Sequence, residues 1–205
     1  MRKKGEELNH YFAAHPKSKM RLGIIHTHLC GIHFEFLTAS GVFSKKRVDL
    51  GTRLLIESMV LPEEGYVLDV GCGYGAVGIA AGAFNNNLRV VMVDVNERAV
   101  RLARRNVEIN SVQNVVVKRG HLYKPVKSVM FNCVLSNPPV SAGMETVKAI
   151  ISEAPEHMAN KAMFQMVVKS KVGGKRLSMF FEEAFGNVRV SARKSGYRVL
   201  MSEKQ

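Results

Sequence analysis

From Tyr66 onward the chain alternates two hydrophobic patterns, and that alternation restricts it to a small set of folds. Runs that are apolar on both faces, YVLDV, LRVVMVDV, NVVVK, MFNCVLS and AMFQMVVK, recur five times. Between them lie helical patterns: AVGIAAGAF after a glycine-rich turn, NERAVRLARRNVEIN, a helix within METVKAIISEAPEHM and another within GKRLSMFFEEAF. Strands of this kind must be covered on both faces, and parallel neighbours need crossovers, so the pattern predicts an α/β fold with helices on both sides of a parallel sheet. The ending differs. NVRVSAR and YRVLMSE are separated only by Lys194, Ser195 and Gly196, too few for a crossover helix, and should form an antiparallel hairpin. Five parallel strands and this hairpin make a seven-stranded, mostly parallel sheet.

Residues 1–60 read as an extension of that core, residues 61–205. HTHLCGIHFEFLTAS suggests two short strands around Gly31, and DLGTRLLIESM a helix with Asp49 near its start. Such a piece either enlarges the core or covers the mouth of a site. The length, 205 residues, suits a single α/β domain. No apolar run approaches the ~18 residues of a membrane span, and MRKKGEELNH lacks the apolar stretch of a signal peptide. Cys30, Cys72 and Cys133 lie in separate segments without paired spacing, which suits a reducing compartment. The expectation is a cytoplasmic protein with no membrane partner; its oligomeric state is left open. Charge is more informative. Thirty Lys and Arg against 17 Asp and Glu give +13, and such a surface gains from phosphate contacts through counterion release, so nucleic acid is the first partner to consider.

Three segments carry chemistry. VLDVGCGYGAVGIA puts Gly71, Gly73, Gly75 and Gly78 between a strand and a helix, where a ligand can approach the backbone and meet the free amides of the helix. The turn alone also satisfies nicotinamide fingerprints. Asp94 ends the second core strand, placed to accept hydrogen bonds from the ribose hydroxyls of an adenosine-containing ligand, or else simply to cap the next helix.

The third segment, LSNPPV, halts an apolar strand on Asn137 followed by Pro138 and Pro139. Prolines fix their own backbone, lack the amide hydrogen and force the preceding residue into an extended shape. The result is a stiff corner presenting one amide side chain and carbonyls with no competing donors. In an open parallel sheet, ligands bind beyond the carboxyl ends of the strands, so the ends of the first, second and fourth core strands should meet at one crevice. A hydride-transfer enzyme has no evident use for a rigid acceptor pair there. An enzyme that alkylates a planar amino group does: Asn137 and the Pro138 carbonyl can each accept a hydrogen from the target nitrogen and align its lone pair.

DVGCGYG, Asp94 and SNPP together resemble the class I S-adenosylmethionine-dependent methyltransferases, and SNPP the branch that methylates exocyclic or amide nitrogens. GVFSKKRVDLGTRLLIE, DVNERAVRLARRNVEIN and KSKVGGKR are similar to the "small" methyltransferase domain of ribosomal RNA guanine-N2 methyltransferases. The resemblance covers nearly the whole chain. It implies a Rossmann-like fold, S-adenosyl-L-methionine as cofactor, and RNA, in particular the guanine N2 of ribosomal RNA, as substrate. Protein glutamine, adenine in DNA and a non-catalytic RNA-binding role in ribosome assembly are the alternatives. Carried over to this chain, the resemblance has Asp69, Gly71, Gly73 and Gly75 lining the methionine and ribose portion of the cofactor, Asp94 holding the ribose hydroxyls and Val95 beside the adenine. Asn137, Pro138 and Pro139 would form the catalytic corner, and Phe43 a wall of the substrate pocket.

Two positions depart from the family pattern. His121 stands where relatives carry an acidic residue for the adenine amino group, which shifts that recognition to backbone near Leu122 or to the imidazole. Val140 stands where relatives stack an aromatic ring on the target base. One further signal is discounted: His26, His28 and Cys30 alternate along IIHTHLC with His33 nearby, but the paired spacing of a zinc site is missing, and no metal is expected.

Overall fold

A computed structural model of the chain describes residues 21–42, 44, 47–138, 143–171 and 174–205. Its centre is a seven-stranded sheet built from β3 (Gly65–Val70), β4 (Leu88–Asp94), β5 (Val115–Arg119), β6 (Phe131–Ser136), β7 (Met158–Lys169), β8 (Arg189–Lys194) and β9 (Tyr197–Glu203). The strand order is β5-β4-β3-β6-β7-β9-β8. β3 to β7 pair in parallel, whereas β9 runs antiparallel to both β7 and β8. This is the sheet that the alternating pattern predicts. Ser195 and Gly196, at φ +50° and +79°, make the left-handed turn that a tight hairpin between β8 and β9 requires.

Among the described residues five α-helices cover the sheet: α1 (Leu50–Ser58), α2 (Ala76–Phe84), α3 (Glu97–Ile109), α4 (Met144–Ser152) and α5 (Gly174–Phe185). Successive strand residues point to opposite faces, and the core accordingly divides in two. Val67, Val90 and Leu135 pack with Leu55, Ile79 and Ala103 of α1 to α3. Leu68, Val91 and Val134 pack with Ile150 of α4 and Phe181 of α5. Between α2 and β4 the packing is close: a Cβ on Gly78 would stand 2.5 Å from the Met92 side chain. None of the helices among the described residues is long and apolar enough to cross a membrane.

The N-terminal extension both enlarges the core and reaches the site. β1 (Leu22–Leu29) and β2 (Ile32–Ala39) form a separate hairpin, and its Leu29, Phe34 and Phe36 are buried in the same layer as α1 to α3. The open edge of β2 is satisfied by side chains. Asn110 of the α3 C-terminus accepts from Glu35 N and donates to Glu35 O, at 3.0 and 2.8 Å. Asn106, one helical turn earlier, does the same for Leu37 at 2.7 and 3.0 Å, and also donates to Tyr74 O at 2.8 Å. Two asparagines four apart on a helix thus take the place of a neighbouring strand. After α1, buried Gln165 performs the same service for Val60, with Oε1 accepting its N–H at 2.8 Å and Nε2 donating to its C=O at 2.7 Å.

The hairpin also separates Cys30 from the histidines of the same segment. Cys30 lies in the turn at φ +48°, not on the strand face, and its thiol lies 4.0 Å from Ile56 O. His26, His28 and His33 gather on the outer face, with His26 3.6 Å from Glu35. Among the described residues no three His, Cys, Asp or Glu are grouped so as to hold a metal ion.

Asn106→Ala should strip buried backbone groups of their partners, each such loss costing about 1–3 kcal/mol. The urea midpoint is expected to fall correspondingly while the spectrum of the folded state is kept; an unchanged midpoint would mean that the hairpin is held by its apolar face alone.

Candidate active site

β3, β4 and β6 end side by side, and the chain beyond them encloses a cavity of about 230 Å³. The turn after β3 folds over the end of β4: Gly71 N and Cys72 N donate to Val93 O at 2.8 and 3.1 Å. Gly71 and Gly73 have φ +74° and +58°, and a Cβ on either would meet no atom within 4 Å. Glycine is required there by the backbone, and the absent side chains leave open room along the crevice. Gly75, at φ +97°, caps α2 and is not among the cavity-lining residues.

Two carboxylates stand in this wall. Asp69 Oδ2 accepts from Gly78 N at 2.9 Å, tying β3 to the first turn of α2. Asp94 Oδ2 accepts from Gly73 N at 2.9 Å and its Oδ1 from Asn96 N at 2.8 Å. The cap of α3 is Asn96 itself, which accepts from Arg98 N and Ala99 N. Asp94 therefore joins the two turns and does not serve as the helix cap. Burial pushes the Asp69 carboxyl up from 3.8 to about 7, against the Gly78 hydrogen bond and with the Asp94 charge adding to the rise. Burial likewise raises Asp94 to about 6, opposed by the backbone amides of Asn96, Gly73 and Val95. Burial is the largest cause of the raised Cys72 thiol pKa as well, so that group is protonated at neutral pH.

Asn137 reaches the same cavity from the end of β6, which is pinned to β3 by Ser136 Oγ donating to Val70 O at 2.9 Å. Its Nδ2 donates to Thr52 Oγ1 at 2.8 Å and to Asp49 Oδ2 at 3.3 Å. Thr52 in turn donates its hydroxyl hydrogen to Asp49 Oδ2 in a short contact. With its nitrogen held in this way, the amide has its carbonyl Oδ1 as the accepting end. Val95, His121 and Leu122 line the far side of the cavity, with His121 exposed and Leu122 buried in the left-handed region at φ +47°.

The cavity thus brings together Asp69, Gly71, Gly73, Asp94, Val95, His121, Leu122 and Asn137. Pro138 is buried beside it without lining it. Phe43, Pro139 and Val140 lie outside the described residues. Sequence reasoning missed Val42, Thr52 and Tyr74, all of which line the cavity. Tyr74 Oη is buried with no hydrogen-bond partner among the described residues, and burial, with the Asp49 charge, raises its pKa. The DLGT of α1 was legible as a helix start, and only docking of that helix brings Thr52 to Asn137.

Comparison with known proteins bears on this geometry. Residues 33–201 match the methyltransferase small domain. An uncharacterized protein of Bacillus subtilis (strain 168), YbxB, is 39% identical over 197 residues, 95% of this chain and 98% of its own. Ribosomal RNA small subunit methyltransferase C of Aeromonas hydrophila is 30% identical over 171 residues, 82% of this chain and 48% of that protein. The chain therefore spans about half the length of that relative. Among solved structures, the Thermus thermophilus 16S rRNA N2 methyltransferase RsmC, in complex with AdoMet and guanosine, superposes with a TM-score of 0.80 at 23% identity. The superposition covers 93% of this chain and 52% of that one, and at this identity the likeness is one of fold.

The raised carboxyls bear on stability. Between about pH 4 and 7 the folded chain holds protons on Asp69 and Asp94 that the unfolded chain releases, so their contribution is fully present below pH 3.8 and is lost as pH rises through about 6 and 7. Asp69→Asn cannot ionise. At pH 8 it should melt above the parent, by ~2–4 °C per kcal/mol recovered, with the difference shrinking toward pH 4. A variant that melts lower at pH 8 would contradict this reading of the pair.

Proposed function

Since this chain belongs to the methyltransferase small-domain family and is an S-adenosylmethionine-dependent methyltransferase, we propose that its acceptor is an exocyclic amino nitrogen of RNA, the N2 amine of guanine in ribosomal RNA. The observation that carries this reading is the position of Asn137: it lines the same cavity as the glycine turn and Asp94, with its amide nitrogen already engaged.

The cavity fits the donor. Gly71 and Gly73 leave room where side chains would intrude. Asp94 can accept from the ribose hydroxyls, and Asp69 offers negative charge toward a cationic ligand. Tyr74 Oη, buried without a partner, supplies a hydrogen for an acceptor such as a carboxylate. Val95 and Leu122 provide apolar contact, and the exposed His121 takes the place of an acidic residue near the adenine. When bound, S-adenosylmethionine supplies an electrophilic methyl group on a sulfonium.

The remaining work belongs to the protein. Asn137 Oδ1 accepts one hydrogen of the amine and so turns the nitrogen lone pair out of the base plane toward the donor; Pro138 does not line the cavity, and its carbonyl takes the second hydrogen only where the bound amine extends to that corner. As the new N–C bond forms and the S–C bond breaks, one amine proton leaves to water. Positioning of this kind contributes up to ~7–11 kcal/mol in well-oriented cases. RNA as the source of the amine is supported by the net charge of +13 and by the RNA substrate named for the relatives. A guanine within a helix would have to be flipped out before Asn137 could reach it.

Tritiated methyl transfer to undermethylated ribosomal RNA, followed by nucleoside digestion, tests this reading. The parent should yield N2-methylguanosine, and Asn137→Ala should lower kcat by ~10²-fold or more, as loss of an aligned hydrogen-bonding group does, with cofactor affinity retained. No transfer to any RNA pool, or label on a ring nitrogen, would contradict it. Calorimetry supplies a second check. Because Asp94 accepts best when ionised, cofactor affinity should fall as pH drops below about 6, and Asp94→Asn should weaken binding at pH 8 while flattening the pH dependence. Equal affinity of the two proteins at pH 8 would remove Asp94 from the ribose.

A further inference from the structure

We infer that Asp49 and Thr52, at the start of α1, are positioning residues that impose one orientation on the Asn137 amide and so make the site select a nitrogen that donates hydrogen. The two ends of an asparagine amide are nearly identical in shape and opposite in hydrogen-bonding sense. Which end meets the ligand decides whether the site recognises N–H groups or lone pairs.

Hydrogen counting on the three side chains leaves one solution. An ionised carboxylate has no hydrogen to give. Thr52 has one hydroxyl hydrogen, and it is committed to Asp49 Oδ2. Toward Asn137, therefore, both neighbours present lone pairs, and both contacts, at 2.8 and 3.3 Å, are filled by Nδ2. Turning the amide over would set Oδ1 against two acceptors. The clamp is itself immobile. Asp49 Oδ1 accepts from Gly51 N at 2.9 Å and Thr52 N at 3.3 Å as the cap of α1, and Thr52 is 6% exposed. Rigidity passes from a helix terminus, through a carboxylate and a hydroxyl, to an amide 88 residues away in the chain.

The orientation stands on geometry alone; its effect on catalysis rests on the amine-methylation reading. With Nδ2 anchored, Oδ1 is the end available to a substrate. An amino group satisfies it, whereas a ring nitrogen lone pair or a carbonyl oxygen placed there would face another acceptor.

Two substitutions separate positioning from folding. Asp49→Asn keeps an equally good helix cap but can direct its own NH₂ at Asn137. Thr52→Val keeps shape and removes the hydroxyl. Each should lower kcat at least tenfold, with KM for RNA and cofactor affinity within about twofold, while Thr52→Ser should stay close to the parent. The reciprocal exchange is sharper. Asn137→Asp alone sets two carboxylates against each other, and adding Asp49→Asn supplies a donor to the new carboxylate, so the double variant should exceed Asn137→Asp at least tenfold in kcat. Additive losses, or wild-type kcat in Asp49→Asn and Thr52→Val, would overturn the inference. ¹⁵N spectra of the ligand-free protein read the clamp directly: the Asn137 Nδ2 protons should exchange slowly in the parent and rapidly in Thr52→Val, and equal exchange would also overturn it. If protection is found but no RNA is methylated, the substrate reading fails and the orientation stands.

Discussion

Parallel pairing of β3 with β4 on one side and β6 on the other is the constraint from which the site follows. A parallel ladder keeps neighbouring strands in step, here with Val70 beside Val93 and Asp69 beside both Met92 and Leu135. The three strands therefore release their chains at one level, and the glycine turn, Asp94 and Asn137 emerge together without any long-range search. Short ties then hold the ends closed: Gly71 and Cys72 to Val93, Gly73 to Asp94, Ser136 to Val70. Covering helices on both faces exclude water from the ladder, and this also makes the carboxylates at its rim costly to ionise.

That cost links stability to function. Asp69 and Asp94 are raised to about 7 and about 6 because the walls that shape the cavity also desolvate them. A ligand carrying positive charge and hydroxyl donors would offset that cost by favouring the ionised carboxylates. Tyr74 Oη, buried and lacking a partner, belongs to the same pattern. The N-terminal extension is part of this economy of contacts. Asn106 and Asn110 hold its hairpin, Gln165 holds the exit of α1, and the helix between them delivers Asp49 and Thr52 to Asn137.

Much of this was legible in the sequence because it depends on local periodicity. The doubly apolar runs reveal the strands, the three-residue gap after Arg193 and its neighbours reveals the hairpin, and the position of Asp94 and Asn137 at strand ends places them at the rim. What was not legible depends on tertiary contact. The start of β7 is an example: after the buried Met158 come exposed Asn160 and Lys161, the latter at φ +61°, with a register irregularity opposite Asn132, so the continuous apolar pattern begins only at Ala162. Cys30 follows the strand alternation in sequence, yet the turn removes it from the strand face. Asp49 reads as a helix cap, which it is, but its second contact lies on a distant strand and no local pattern encodes it. Gly75 looks equivalent to Gly71 and Gly73 in the motif, and only its geometry separates a helix cap from a crevice wall.

The proposed arrangement is one cavity that holds the methyl donor on the glycine turn and the acceptor amine on Asn137. A crystal structure of the protein with S-adenosylhomocysteine and guanosine tests it most directly. The ribose of the cofactor should lie on Asp94 and the guanine amino nitrogen at ~2.7–3.2 Å from Asn137 Oδ1. A guanosine whose amine points away from Asn137, or an Asn137 whose Oδ1 faces Thr52 and Asp49, would contradict it.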